Sequence, residues 1–160
     1  MNINQKINIV LHKAYPVLKS LHDDFFVIGS AALILSGVDI ENTNDIDILT
    51  SDRDADSIRE GWKDREIVNY QTGRSNLFRS NFARYHFEEL DVEVMGALEI
   101  HKNDVWSPLI IREAAIISLQ DIRIKIPVLE EQRQILQWFG RDKDIEKIKR
   151  IDAYFERNKR

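Results

Sequence analysis

Two acidic residues, Asp45 and Asp47, stand one residue apart, with isoleucines at the positions between and after them. In an extended strand, side chains two positions apart lie on the same face, so these carboxylates approach a common point. Two such anions repel each other, and a hard divalent cation such as Mg²⁺ or Mn²⁺ between them relieves the repulsion. The pair therefore predicts a metal-binding strand. A solvated strand edge is the alternative interpretation of the pair taken alone.

A glycine and a serine, Gly29 and Ser30, follow the apolar run over residues 25–28. Glycine lets the backbone come close to a ligand, and a serine at a helix start offers a hydroxyl and backbone N–H groups to a phosphate. We expect Ser30 to be the N-cap of a short helix that ends near Gly37. Gly29 and Ser30 are therefore the predicted phosphate-binding residues.

A third carboxylate has two candidates, because Asp91 and Glu93 lie on the same face of a predicted strand over residues 90–95. Glu93 is favoured because it stands between Val92 and Val94, where an unpaired charge would be costly. Asp91 stays open as the alternative metal ligand, and so does an interpretation in which both residues face solvent.

These residues need a framework of strands and helices, and the hydrophobic pattern predicts an α+β fold. We expect one domain over residues 1–160, with a short, mixed and mostly antiparallel sheet flanked by helices. The first predicted element is a helix over 3–21 that Pro16 kinks or ends, and a later helix runs from Ser51 to Trp62 with a Ser51–Asp54 capping box. Strands are predicted over 25–28, 45–49 and 66–70, and a polar loop over 71–81. Hairpins over 83–95 and 110–128 and helices over 130–139 and 145–155 complete the chain.

Composition narrows the class of protein. The 160 residues carry 27 acidic and 23 basic side chains, a net charge of −4, so a chain-wide electrostatic grip on nucleic acid is not expected. The chain has no cysteine, which excludes disulfides and thiolate chemistry. It also lacks a signal-like start or a long apolar run, so we expect a cytoplasmic protein with no membrane partner.

The order of these motifs resembles the nucleotidyltransferase superfamily related to DNA polymerase beta. The shared pieces are an apolar residue with Gly29 and Ser30, then acid-apolar-acid-apolar from Asp45, and a later acid in a strand. The sequence over residues 43–47 is most similar to that of small bacterial and archaeal members, including minimal, antibiotic-modifying and toxin–antitoxin proteins. The spacer over residues 31–44 is slightly longer than usual.

The resemblance implies transfer of a nucleoside monophosphate from a nucleoside triphosphate to a hydroxyl of a protein or small molecule. It implies that Asp45 and Asp47 hold two Mg²⁺ or Mn²⁺ ions, that Glu93 completes one site and acts as base, and that Ser30 binds the terminal phosphates. Basic candidates for the triphosphate lie near the polar loop and in the last helix: Arg74, Arg79, Arg84, Arg141, Lys143 and Lys147. Relatives tend to carry a lysine where this chain has Leu136, which departs from the pattern.

Two other functions stay open. A catalytically inactive member would keep the fold as a binding or regulatory protein of the antitoxin type. A phosphorelay receiver also clusters acids for Mg²⁺, but the predicted hairpin after Asn81 argues against its regular alternation of strands and helices. In the enzyme hypothesis, a domain that recognises the acceptor would come from a partner protein or from another copy of the chain, or would not exist.

Overall fold

The computed structural model describes residues 1–70 and 76–159 and has an α+β fold. Its elements follow the chain in this order: α1 (Ile3–Leu18), β1 (Phe26–Ile28), α2 (Gly29–Leu35), β2 (Asp45–Thr50), α3 (Asp52–Gly61), β3 (Phe78–Tyr85), β4 (Asp91–Lys102), β5 (Val105–Pro108), β6 (Ala114–Leu119), β7 (Ile122–Pro127), α4 (Leu129–Phe139) and α5 (Asp142–Arg157). None of the helices in these residues has the length and apolar character needed to cross a membrane.

The main sheet has the strand order β1-β2-β4-β3, and β5 also pairs with β4. Only the β2–β4 pair is parallel, and its register sets Asp45 beside Asp91 and Asp47 beside Glu93. The other pairs are antiparallel, as the sequence predicts. A separate antiparallel pair, β6–β7, forms a second small sheet.

The two faces of β2 and β4 have opposite character. Ile46, Ile48, Val92 and Val94 are fully or almost fully buried on one face, where α1, α2 and α3 pack against them. The alternating positions carry the acidic residues on the other face. Beyond these acids, the same face continues into a smaller apolar cluster that includes Leu49, and the end of α4 packs on it. The carboxylates therefore lie beside an apolar layer.

Three local predictions are wrong. Helix α1 ends at Leu18, before the predicted end at Leu21, and Pro16 lies in its last turn. Residues 66–70 form turns and a single bridge between Glu66 and Tyr85 instead of a strand. Strand β3 begins at Phe78, inside the predicted polar loop, while residues 71–75 of that loop lie outside the described part of the chain.

The capping box predicted for α3 is only half formed. The Ser51 side chain accepts a hydrogen bond from the Asp54 backbone N–H, 3.3 Å away. The buried Asp54 carboxylate instead accepts from the backbone N–H groups of His22 and Asp23, at 3.1 and 2.6 Å. Asp54 thereby fixes the loop that leads into β1.

Candidate metal and nucleotide site

Three carboxylates converge on the polar face of the sheet. Asp45, Asp47 and Glu93 each offer a ligand oxygen, and these oxygens lie within 4.8 Å of one another. Register explains the convergence, because β2 carries two of the acids on one face and β4 sets Glu93 directly beside Asp47. The arrangement matches the donor set that Mg²⁺ and Mn²⁺ prefer.

Gly29 joins β1 to α2 directly against this group. Its φ of +69° lies in the left-handed region, and a Cβ added there would stand 2.7 Å from Asp47 Oδ2. Both the backbone conformation and the space therefore require glycine at this position. The predicted helix N-cap is wrong: Ile28 occupies the cap, and Ser30 is the second residue of α2. Ser30 follows Gly29 in the chain and is half-buried.

Burial and mutual repulsion keep protons on this group. Burial raises the pKa of Asp47 to about 7, and the charge of Asp45 adds to the rise, while Lys147, Lys143 and Arg84 oppose it. The pKa of Glu93 rises to about 8, again mainly through burial, with the Asp47 charge as the next cause. Because a cation placed among these oxygens favours their ionised forms, a divalent ion would compete with protons for these carboxylates.

Arg84 reaches three of the neighbouring acids from β3, where it pairs opposite Glu93. Its Nη1 donates to Glu93 Oε1 at 2.6 Å and to Asp45 Oδ2 at 3.1 Å, and its Nε donates to Asp91 Oδ2 at 3.1 Å. Burial disfavours its charged form, but the hydrogen bond to Asp45 and the nearby negative charges outweigh this and raise its pKa. The Arg84 guanidinium also lies over the Tyr70 ring, 4.7 Å from its centroid.

Asp91, the alternative third carboxylate, has partners different from those expected of a metal ligand. It is absent from the convergent group found among the described residues. Its two oxygens instead contact Arg84 and His86 Nδ1, the latter at 3.1 Å. Tyr70 and His86 were not predicted as site residues, because only the tertiary fold brings Tyr70 to Arg84 and His86 to Asp91.

Two lysines of α5 direct positive charge toward Asp47. Lys147 is half-buried and Lys143 is exposed, and both charges lower the pKa of Asp47. Burial lowers the pKa of Lys147, although Asp144 and Asp47 oppose that effect. Neither lysine has an ion-pair partner within 4 Å among residues 1–70 and 76–159. Their charges are therefore available to an anionic ligand.

The other basic candidates have different partners. Arg141 pairs with the buried Asp144 through two bonds of 2.6 and 3.0 Å, and its guanidinium lies 4.9 Å from the centre of the Phe78 ring. Arg79 pairs with the carboxylate of Glu99. Arg74 lies outside the described residues, and Leu136 is part of a buried apolar cluster.

No family model and no curated protein sequence matches this chain. Solved structures do resemble it. The proposed nucleotidyltransferase TM1012 of Thermotoga maritima superposes with a TM-score of 0.75 at 23% identity, covering 97% of this chain and 96% of the other. The lincosamide antibiotic adenylyltransferase LnuA, solved with lincomycin bound, gives a TM-score of 0.59 at 12% identity, with coverages of 96% and 99%. This chain therefore has the nucleotidyltransferase fold.

Proposed function

We propose that this chain transfers a nucleoside monophosphate from a nucleoside triphosphate to a hydroxyl group in a reaction that depends on Mg²⁺ or Mn²⁺. The convergence of Asp45, Asp47 and Glu93 within 4.8 Å is the observation that carries this proposal. The fold supports it, because LnuA, of similar architecture, is an adenylyltransferase. The acceptor is a protein or a small molecule.

The residues present fit a divalent cation. The donor set consists of carboxylate oxygens alone, and the pKa values of Asp47 and Glu93 are raised by burial and then by the charge of a neighbouring carboxylate. A bound Mg²⁺ would draw the phosphates toward these carboxylates and offset the negative charge that develops during transfer. Asp45, Asp47 and Glu93 would hold it.

Each remaining group has a role in this proposal. Lys147 and Lys143 bind the negatively charged phosphates, and Gly29 lets the start of α2 and Ser30 approach them. The acceptor hydroxyl oxygen attacks the α-phosphorus, and the bond from that phosphorus to the bridging oxygen breaks. Pyrophosphate leaves with the electron pair, and Glu93, in the ionised form that a bound cation favours, receives the hydroxyl proton.

One observation favours a second function, that of a non-catalytic binding protein. Arg84 forms ion pairs with Asp45, Asp91 and Glu93, which partly neutralises the acids without a metal ion. A site satisfied in this way could be structural. The two functions differ in whether the chain binds a nucleotide only when a divalent cation is present.

Calorimetric titration of the chain with each of the four ribonucleoside triphosphates, with and without Mg²⁺ or Mn²⁺, tests the proposal. We expect binding only with the cation, and at least a tenfold loss in Asp47→Asn because that variant removes a ligand charge. Asp121→Asn is the matched control, since Asp121 is 85% exposed and its carboxylate pairs with His12 and not with the convergent acids. Cation-independent binding, or no binding at all, would contradict the enzyme proposal.

A further inference from the structure

Arg84 is the one cationic side chain, among the residues that the structure describes, that bonds directly to the convergent acids. A single nitrogen, Nη1, contacts Glu93 Oε1 at 2.6 Å and Asp45 Oδ2 at 3.1 Å. An ion that bridged Asp45 and Glu93 would use oxygens of these same two carboxylates. The guanidinium therefore already binds two of the three carboxylates that, by the resemblance, would hold two ions.

The guanidinium is fixed on its other sides. Its Nε and Nη2 both lie 3.1 Å from Asp91 Oδ2, and the Tyr70 ring covers one face. Only 12% of the Arg84 side chain is exposed. Arg79, on the same strand, also lies over an aromatic ring, that of Trp106, but it is 54% exposed and pairs with a single carboxylate among the described residues. Arg84 therefore behaves as a built-in part of the site and differs from an ordinary surface arginine.

Asp47 is the acid that Arg84 leaves free. In the described ranges 1–70 and 76–159, Asp47 accepts no hydrogen bond from a cationic side chain, although it faces Lys143 and Lys147 electrostatically. Arginine keeps its charge at any physiological pH, so its cation cannot be removed by titration. The oxygens that are left to bind a divalent metal ion are consequently those of Asp47 and the oxygens of Asp45 and Glu93 that Arg84 does not contact.

We propose that the Arg84 guanidinium takes the place of one of two metal ions, so that this site binds a single divalent cation, held chiefly by Asp47 and Asp45. The inference rests on the proposed function and specifies it further. It assigns Arg84 as a positioning residue that fixes Glu93 and neutralises it. The acceptor hydroxyl then loses its proton to Glu93 without a second ion on that side.

Counting bound Mn²⁺ tests this directly. Free Mn²⁺ is measured by electron paramagnetic resonance during titration of the wild type, Arg84→Gln and Arg84→Lys, with Arg79→Gln as the matched control on β3. We expect one ion per chain in the wild type, Arg84→Lys and the control. In Arg84→Gln, we expect two ions and about tenfold tighter binding of the first, because a like charge has been removed.

Two ions in the wild type would overturn the inference, and this count needs no variant to fold. One ion in folded Arg84→Gln at unchanged affinity would overturn it as well. In both cases, nucleotide binding that depends on Mn²⁺ would leave the proposed function standing. The absence of Mn²⁺ binding from every protein would contradict both proposals.

Discussion

Strands β2 and β4 present one apolar face and one acidic face, and the two faces have opposite effects on stability. On one face, Ile46, Ile48, Val92 and Val94 are buried among apolar side chains of three helices. On the other, one residue along in each case, carboxylates lie close together with incomplete neutralisation. The first face stabilises the fold through burial, at about 1.5–3 kcal/mol for each large apolar side chain. The second face places like charges close together, which destabilises the folded state.

Truncation on the apolar face should have the largest effect on stability. Ile48 is 0% exposed, and Ile48→Ala leaves a cavity in the core, so we expect a loss of about 3 kcal/mol in the free energy of unfolding. Urea denaturation followed by circular dichroism measures this loss. Ile116→Ala on β6 is the matched control, because Ile116 is 58% exposed and should change the value by under about 0.5 kcal/mol. Equal losses in the two variants would contradict the proposed contrast between buried and exposed positions.

The acidic face should make the free energy of unfolding depend on pH. Asp47 keeps its proton in the folded state up to about pH 7, whereas in the unfolded chain it ionises near its ordinary value. Between these values the folded state binds more protons, so the free energy of unfolding falls as pH rises.

Asp47→Asn removes this titration. Without metal, we expect the free energy of unfolding of the wild type to fall, relative to that of Asp47→Asn, by at least about 1 kcal/mol between about pH 5 and about pH 8. Urea titrations across this range measure the difference between the two proteins, which cancels groups unaffected by the substitution. If the free energies of unfolding of the two proteins changed with pH in parallel, the ionised form of Asp47 would not be destabilised in the folded state.

The smallest effect on stability is expected at Lys147, which faces the acids from α5. Lys147→Met should change the free energy of unfolding by less than about 1 kcal/mol, because this half-buried ammonium has no ion-pair partner within the described residues. Affinity for Mg²⁺ with a nucleoside triphosphate should nevertheless fall about tenfold, since a phosphate contact is lost.

The matched control for this lysine is Lys149→Met. Lys149 lies on the same helix, is 72% exposed and stands 4.0 Å from Glu146. Calorimetry on both variants separates a local contact from a general change in net charge. Equal losses of affinity in the two variants would exclude a specific role for Lys147.

The sequence predicted the polar face well because strand alternation is a local property. Asp45 and Asp47 share a face by spacing alone, and Glu93 was favoured over Asp91 from its apolar neighbours. The contacts of Arg84 with these acids could not be predicted from the sequence. Its position opposite Glu93 depends on the β3–β4 register, which is a property of pairing between distant segments.

Other differences have local causes. Strand β5 was not predicted, although Asn103 and Asp104 carry positive φ angles of 52° and 62° and join β4 to β5 as a two-residue hairpin turn. Asparagine and aspartate tolerate that conformation, so the signal was present in the sequence. The N-cap of α2 lies two positions before the predicted Ser30, at Ile28, because Gly29 in the left-handed conformation begins the helix.

Strand β4 has a consequence for how the molecule opens. It pairs with β2 and β3 and, towards its end, with β5, whereas β1 contributes only the three residues Phe26–Ile28 to the sheet. Amide hydrogens in β4 should therefore exchange with solvent only in rare, extensive openings, while those of β1 exchange through local fraying. Glu93 is thus anchored in the most persistent part of the sheet, and the Gly29 side of the site rests on a part that opens more readily.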